Sequence, residues 1–295
     1  MPPEGGSPSA IGRASAQPTP WGATLAGLTG IAQPAEASIL FLGDVVGSVG
    51  RRALLRSLPE LRERFEPTFV VVNAENIAGG LGITPKLADE LLGAGVDAIT
   101  LGNHAYHHRE IYPYLDREPR IVRPANYLRG QPGRGHCVVE SDGGIRLGVI
   151  NLSGNLYLKA GRSAFSEVDG ILSDLRGKVD HVLVDMHAEA TSEKVGMGWH
   201  LDGRVTMVVG THTHVPTADA RVLPEGTAYI TDVGMTGPRG GVIGVKREQA
   251  LESLVTQMPV RFSTSEDDPW VMGVFVRGAS PLRAESIEQI LMPSN

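Results

Sequence analysis

The feature that most constrains the fold is a short apolar run, rich in β-branched residues, that recurs along the chain and ends in polar residues. Continuous apolar runs of this length are typical of strands buried on both faces of a helix-covered sheet. They occur at 38–42, 68–72, 98–101, 147–150, 181–184, 207–209 and 228–230. Stretches with helical spacing separate them, so the alternation predicts an α/β layered fold.

Two of the helical stretches carry boundary signals. A helix is expected over residues 51–65, with a break at Pro59, because proline lacks a backbone donor and clashes with the preceding turn. A second helix is expected over 84–94, where Thr84 can cap the first turn and proline follows it. A late apolar run at 270–276 predicts one more strand, antiparallel or at an edge of the sheet.

The first 37 residues differ in composition from the rest. They are rich in Pro, Gly, Ser and Ala and offer no periodic apolar face. Residues 1–37 are therefore expected to be a disordered tail, or a stretch included because the start codon was assigned too early. No linker interrupts residues 38–295, which are expected to form a single domain. No run reaches the roughly 18 to 20 apolar residues that span a bilayer, so no membrane association is expected.

Charge and cysteine content narrow the partners and the compartment. The formal net charge is −6 with both signs mixed along the chain, which argues against binding to extended nucleic acid. The chain has a single cysteine, Cys137, which excludes an intrachain disulfide and favours a reducing, cytoplasmic location. Homo-oligomerisation is compatible with a chain of this size, although no pattern fixes a number of subunits.

Polar clusters follow five of the predicted strands. Each cluster alone has an ordinary explanation, since Gly, Asn and Asp commonly punctuate loops. In open α/β sheets, however, the ligand site lies beyond the carboxyl ends of the strands, so all five should converge there. The clusters are 43–44, 73–76, 102–104, 185–189 and 210–214. Their coincidence indicates a functional site.

The clusters contain side chains that suit metal ions. His212 and His214 are two residues apart, so in an extended chain both imidazoles would point to one face. The candidate donors are Asp44, Glu75, Asn76, Asn103, His187, His212 and His214. Seven donors are too many for one tetrahedral ion and suit two ions about 3.5 to 4 Å apart. A glycine precedes Asp44, Asn103 and the His212 segment, where it is expected to allow a tight turn.

Several sequence strings resemble those of a known family. The strings are GDVVGSVGRR, NAENIAGGLGIT, GNHAYHH, DMHAEATSEK and GTHTHVPTADARVLP. They resemble the YmdB-type branch of the calcineurin-like metallophosphoesterases, and this branch consists of bacterial 2',3'-cyclic-nucleotide phosphodiesterases. The similarity extends over nearly all of residues 38–280. It implies that 38–295 is a metallophosphoesterase domain, a layered α/β/β/α sheet sandwich with its site at the carboxyl ends of the strands.

The resemblance also implies a role for each donor. One ion would take Asp44, Glu75, Asn76 and His214, and the other would take Glu75, Asn103, His187 and His212, with the Glu75 carboxylate bridging. His104 would donate a proton to the leaving oxygen. The chain departs from the family pattern at 105–108, which reads Ala-Tyr-His-His, so His107 and His108 are alternative proton donors.

The implied cofactor is a pair of divalent metal ions. Oxygen and imidazole donors without a thiolate suit iron, manganese or zinc better than calcium, and iron or manganese is expected before zinc. A metal-activated hydroxide would attack phosphorus and convert small 2',3'-cyclic nucleotides to 3'-nucleotides. Two alternatives remain open: a phosphomonoesterase or other small-phosphoester hydrolase, and a metal-bound regulatory or RNA-associated scaffold.

Overall fold

The computed structural model describes residues 36–294. The tail predicted for residues 1–37 therefore lies almost entirely outside the described residues, and the boundary at residue 38 stays a prediction. No helix in the described range is both long enough and apolar enough to cross a membrane.

Strands and helices alternate along most of the described chain. The strands are β1 (Ala37–Leu42), β2 (Phe69–Asn73), β3 (Ala98–Thr100), β4 (Ile121–Val122), β5 (His136–Glu140), β6 (Arg146–Ser153), β7 (His181–His187), β8 (Met207–Thr211), β9 (Arg221–Val222), β10 (Ala228–Ile230), β11 (Gly237–Pro238), β12 (Pro269–Ser280) and β13 (Arg283–Pro293). The helices are α1 (Gly47–Phe65), α2 (Pro85–Gly93), α3 (Tyr112–Arg117), α4 (Ala164–Leu175), α5 (Thr191–Leu201) and α6 (Arg247–Thr256), with a short 3-10 helix at Arg109–Ile111.

The strands form two sheets. The first has the order β11-β12-β1-β2-β3-β4, with β13 paired to β12, and the second has the order β5-β6-β7-β8-β10-β9. In the first sheet β1, β2, β3 and β4 are parallel, as are β6, β7, β8 and β10 in the second. The carboxyl ends of each parallel set therefore lie along one edge of its sheet.

Alternating side chains of each central strand enter different cores. Leu40 and Leu42 of β1 pack in a core with α1, whereas Ile39 and Phe41 pack against the second sheet. On the second sheet Val184 of β7 packs in a third core with α4 and α5. Both faces of the strands are buried, so the layers are helix, sheet, sheet and helix, as predicted.

Two features differ from the sequence-based expectations, and one strand confirms one of two predicted alternatives. Pro59 does not break α1, which continues through it from Gly47 to Phe65 and buries an apolar face against the first sheet. β12 is antiparallel, as one alternative held, but it lies inside the sheet between β1 and β13. The β13 strand was not anticipated, because its alternation of exposed and partly buried residues lacks a continuous apolar run.

Candidate metal centre

The polar clusters at the strand ends come together where the two sheets meet. The first sheet contributes Asp44 after β1, Glu75 and Asn76 after β2, and Asn103 and His104 after β3. The second sheet contributes His187, the last residue of β7, and His212 and His214 after β8. The contacts described below join all seven predicted donors into one cluster.

His187 is the centre of one group of donors. Its Nε2 atom lies 2.9 Å from Asn103 Oδ1, 3.1 Å from His212 Nδ1 and 3.3 Å from Glu75 Oε1. Ligand atoms of Glu75, His187 and His212 all lie within 4.8 Å of one another. These four side chains are the set that the resemblance groups around one ion.

A second group forms around His214. Its Nε2 atom lies 3.1 Å from Asn76 Nδ2 and 3.9 Å from Asp44 Oδ1. Asn76 Nδ2 is also 3.1 Å from Glu75 Oε1, which links this group to the first one. Asn76 turns its amide nitrogen toward these neighbours, so a half-turn of the amide is needed for its oxygen to face an ion.

Two features show that the cluster fits a cation. Asp44 Oδ1 is buried and has no hydrogen-bond partner among the described residues, a costly arrangement for a carboxylate without a positive charge nearby. A Cβ atom at Gly102 would lie 2.3 Å from His187 Nε2 and 2.4 Å from Glu75 Oε2, so only glycine leaves room there. The glycine expected to permit a tight turn before Asn103 is therefore needed for close packing, and its φ is not left-handed.

The titration behaviour of the cluster follows from burial and charge. Burial raises the pKa of Asp44. Burial opposes ionisation of Glu75 too, but His187 and His104 outweigh it and hold the pKa of Glu75 well below its usual range. Burial likewise disfavours a charged His187, yet the Glu75 and Asp44 carboxylates raise the pKa of His187 to about 9. Positive charge is thus favoured between the carboxylates, where a divalent ion would supply it.

A buried hydrogen-bond chain orients His187. Its Nδ1 atom donates to Thr211 Oγ1 over 2.9 Å, and the Thr211 hydroxyl donates to Asp185 Oδ1 over 2.6 Å. The other Asp185 oxygen accepts from Thr100 and Asn73. Burial raises the pKa of Asp185 to about 6. Asp185 lies in the predicted cluster 185–189, and it acts on His187 through Thr211, for which no role was predicted.

The His212–His214 segment is not an extended strand, contrary to the sequence-based argument. β8 ends at Thr211, and His212 and His214 have φ values of 96° and 65°. Positive φ is uncommon for residues other than glycine and is held here by specific contacts. The His212 amide donates to Asp44 Oδ2, and its Nε2 lies 3.1 Å from Glu189 Oε2. The turned backbone still brings both imidazoles into the cluster.

Asp232 holds the same segment through Thr213, and it was not among the residues predicted from the sequence. Its Oδ2 atom accepts hydrogen bonds from the amide and hydroxyl of Thr213. The same oxygen lies 2.6 Å from Lys194 Nζ, and both side chains are 1% exposed. Asp232 comes directly after the strand β10 and Thr231, so the rule that located the other clusters would also have located this one.

His104 is the histidine next to the donors. Its backbone amide donates to Glu75 Oε2, and its Nδ1 atom lies 2.8 Å from Asn76 Oδ1. The alternatives lie elsewhere: His108 Nε2 contacts Leu81 O, and the His107 ring packs edge-on against His108. Within residues 36–294 neither of them contacts a predicted metal donor.

The fold and site define a class of protein. A two-sheet sandwich that gathers carboxylate, amide and imidazole side chains at the carboxyl ends of both sheets is a metallophosphoesterase of the layered type that the sequence predicted. A family model described as YmdB-like protein matches residues 40–290, and the chain belongs to this family.

Named relatives agree with this assignment. The 2',3'-cyclic-nucleotide 2'-phosphodiesterase of Bacillus subtilis is 45% identical over 255 residues, which are 86% of this chain and 96% of that protein. A putative phosphatase/phosphodiesterase of Mycoplasma pneumoniae is 37% identical and covers 80% of this chain and 85% of its own length.

Solved structures share the fold. A hypothetical protein from Thermus thermophilus superposes with a TM-score of 0.82 at 38% identity, covering 88% of this chain and all (100%) of that one. A novel phosphatase from Mycoplasma pneumoniae has a TM-score of 0.81 at 34% identity, covering 88% and 95%.

Proposed function

We propose that this protein is a two-metal phosphodiesterase that opens the 2' ester of 2',3'-cyclic nucleotides and leaves 3'-nucleotides. The observation that carries the proposal is the position of Glu75 Oε1, which lies 3.3 Å from His187 Nε2 and 3.1 Å from Asn76 Nδ2. One carboxylate thereby touches both groups of donors and would be available to an ion held by either group. The substrate is proposed from the named activity of the Bacillus subtilis relative.

Residues of both groups would hold the ions. Asp44, Asn76 and His214 would hold one ion and Asn103, His187 and His212 the other, with Glu75 shared. Two bound divalent ions would supply positive charge for the phosphoryl oxygens and lower the pKa of a coordinated water from about 15.7 to about 7. Iron and manganese suit these oxygen and imidazole donors, with zinc as the alternative.

His104 is the residue that we propose as the proton donor. Its side chain is 31% exposed, and Nδ1 lies 3.2 Å from Glu75 Oε1, a contact that does not depend on which way the Asn76 amide faces. In the described part of the chain Nε2 has no hydrogen-bond partner, so this atom is free to give a proton to the departing 2' oxygen. General acid help of this kind is worth about 10² to 10⁴-fold in rate.

The test is turnover of 2',3'-cyclic AMP by protein loaded separately with iron, manganese or zinc, with 2'-AMP and 3'-AMP resolved. We expect metal-dependent formation of 3'-AMP and none in a chelator-treated control. No turnover by protein that holds two ions would contradict the proposal and favour another phosphoester or the scaffold role.

A phosphomonoesterase is the second candidate. It is supported by two Mycoplasma pneumoniae relatives, one named a putative phosphatase/phosphodiesterase and the other a novel phosphatase. A simple phosphomonoester assayed beside the cyclic diester separates the two, and a tenfold higher rate on the monoester would reverse the order of the candidates.

A cytoplasmic location remains part of the proposal. It is supported by the single cysteine, Cys137, which is free and buried. Burial raises the pKa of this thiol to about 12, so it is poorly suited to thiol chemistry or metal binding.

A further inference from the structure

A cavity of about 440 Å³ adjoins the donor cluster, with His214 in its wall. Its volume lies within the range of small-molecule sites, and most of its lining is apolar. The residues that matter here are Met235, Arg239, Ile243, Trp270 and Met272. None of them is used by the hydrolytic step described above, so the cavity calls for its own explanation.

Ile243 joins this cavity to the metal centre. Its carbonyl oxygen accepts a hydrogen bond from His214 Nδ1 over 2.8 Å, which turns Nε2 toward Asp44 and Asn76. Ile243 has a φ of 44°, an outlier for a β-branched residue, and its side chain is 56% exposed. Strain of this kind persists where the surroundings enforce it and clusters at ligand sites. A ligand in the cavity would cover this exposed apolar side chain.

Trp270 and Arg239 line the same cavity, and their side chains contact each other. The Arg239 guanidinium lies 4.3 Å from the centroid of the Trp270 ring. Asp268 secures both residues, since its carboxylate accepts from Trp270 Nε1 over 2.8 Å and its carbonyl oxygen accepts from the Arg239 amide over 2.9 Å. Aromatic rings and arginine planes are the surfaces on which proteins stack nucleobases.

We propose that this cavity binds the nucleobase of the cyclic nucleotide, with Trp270 and Arg239 as the residues that stack on it; the inference rests on the proposed function. A scissile phosphate at the donor cluster lies next to His214, and His214 is also a wall of the cavity. The ribose would therefore span a short distance from the cyclic phosphate to a base held against Trp270 and Ile243. The hydrolytic site would thus recognise a nucleotide instead of any small cyclic phosphodiester.

The test compares 2',3'-cyclic AMP with the 2',3'-cyclic phosphate of methyl riboside, which has no base. We expect Trp270→Ala and Arg239→Ala to raise the KM for cyclic AMP about tenfold or more and to change kcat less than twofold. Kinetics on the base-free ester should not change, because that ester does not reach the cavity.

The chain offers a matched control pair outside the cavity. Arg221 lies over the ring of Trp199 at 6.0 Å, and Trp199 is 53% exposed. Trp199→Ala and Arg221→Ala remove the same chemical groups and should leave both substrates unaffected. An equal effect of the two pairs of variants would contradict a base site at Trp270.

The failure of this inference can be told from that of the proposed function. If the wild-type protein turns over cyclic AMP and the base-free ester with the same kcat/KM, and the cavity variants match it, the base site is excluded while the phosphodiesterase stands. If neither substrate is hydrolysed, the affinity for 3'-AMP is measured by calorimetry. Weaker binding of 3'-AMP in Trp270→Ala and Arg239→Ala, but not in the control pair, supports the base site. Unchanged binding excludes it.

Discussion

The Thr211 hydroxyl donates a hydrogen bond of 2.6 Å to a buried oxygen of Asp185. This bond leaves the Thr211 oxygen free to accept from His187 Nδ1, so the carboxylate determines which nitrogen of His187 faces the other donors. Partners that fix the tautomer of a ligating histidine typically affect metal affinity 10- to 100-fold.

Thr211→Val should therefore weaken metal binding about 10- to 100-fold, because His187 Nδ1 loses its acceptor and the ring is free to turn. Metal affinity is measured by titration of the metal-free protein. Thr206→Val is the matched control, since Thr206 Oγ1 contacts His181 Nδ1 at the opposite end of β7. Weakening of equal size in both variants would mean that the loss reflects general destabilisation.

Gly102→Ala should prevent metal binding without changing a single donor. The added Cβ would lie 2.3 Å from His187 Nε2, well inside contact distance, and would force this ring or Glu75 aside. Metal content after purification is the measurement. Gly170→Ala is the control, because nothing lies within 4 Å of its Cβ position in α4, and it should stabilise the protein by about 0.5–1 kcal/mol. Normal metal content in Gly102→Ala would contradict this, because it would show that His187 and Glu75 can move aside and still bind metal.

His104→Ala should keep its metal and lose about 10² to 10⁴-fold in turnover of substrates with poor leaving groups. The loss should shrink for a good leaving group such as nitrophenolate, which departs without a proton. His107→Ala and His108→Ala serve as controls and should stay near wild type. A loss of less than threefold for His104→Ala would remove it as the proton donor.

Lys194→Met should destabilise the protein by about 3–5 kcal/mol, because it leaves the charge of Asp232 buried without its partner. Urea unfolding measures the change. Arg64→Met is the control, since Arg64 and Glu288 form an ion pair in which both side chains are more than half exposed, worth about 0–1 kcal/mol. Equal effects would show that the Lys194 pair is not buried in solution.

The sequence predicted the parts of this molecule that depend on local patterns. Strands such as β1 and β2 are continuous apolar runs, and each donor lies at the end of its strand or within three residues of it, so both the layered fold and the donor candidates could be predicted. Thr84 caps α2 as expected, accepting from the Leu87 amide. The family could be predicted for the same reason, because the sequence motifs that resemble it lie at those strand ends.

Other features depend on tertiary contacts that no local pattern encodes. Pro59 is tolerated because the flanking turns of α1 are held against the first sheet, which outweighs the local cost. The positive φ of His212 and His214 arises from contacts with residues distant in sequence, including Asp44 and Ile243. The role of Thr211 depends on Asp185 in the neighbouring strand, a pairing that only the sheet register establishes.

The donors come from both sheets, and this has a consequence for how the protein matures. Asp44 and Glu75 leave the ribosome long before His187 and His212, so an early portion of the chain can offer carboxylates but not imidazoles. Ions that bind only the finished cluster stabilise the native state through mass action. Metal binding would therefore stabilise the chain only once the second sheet has packed against the first.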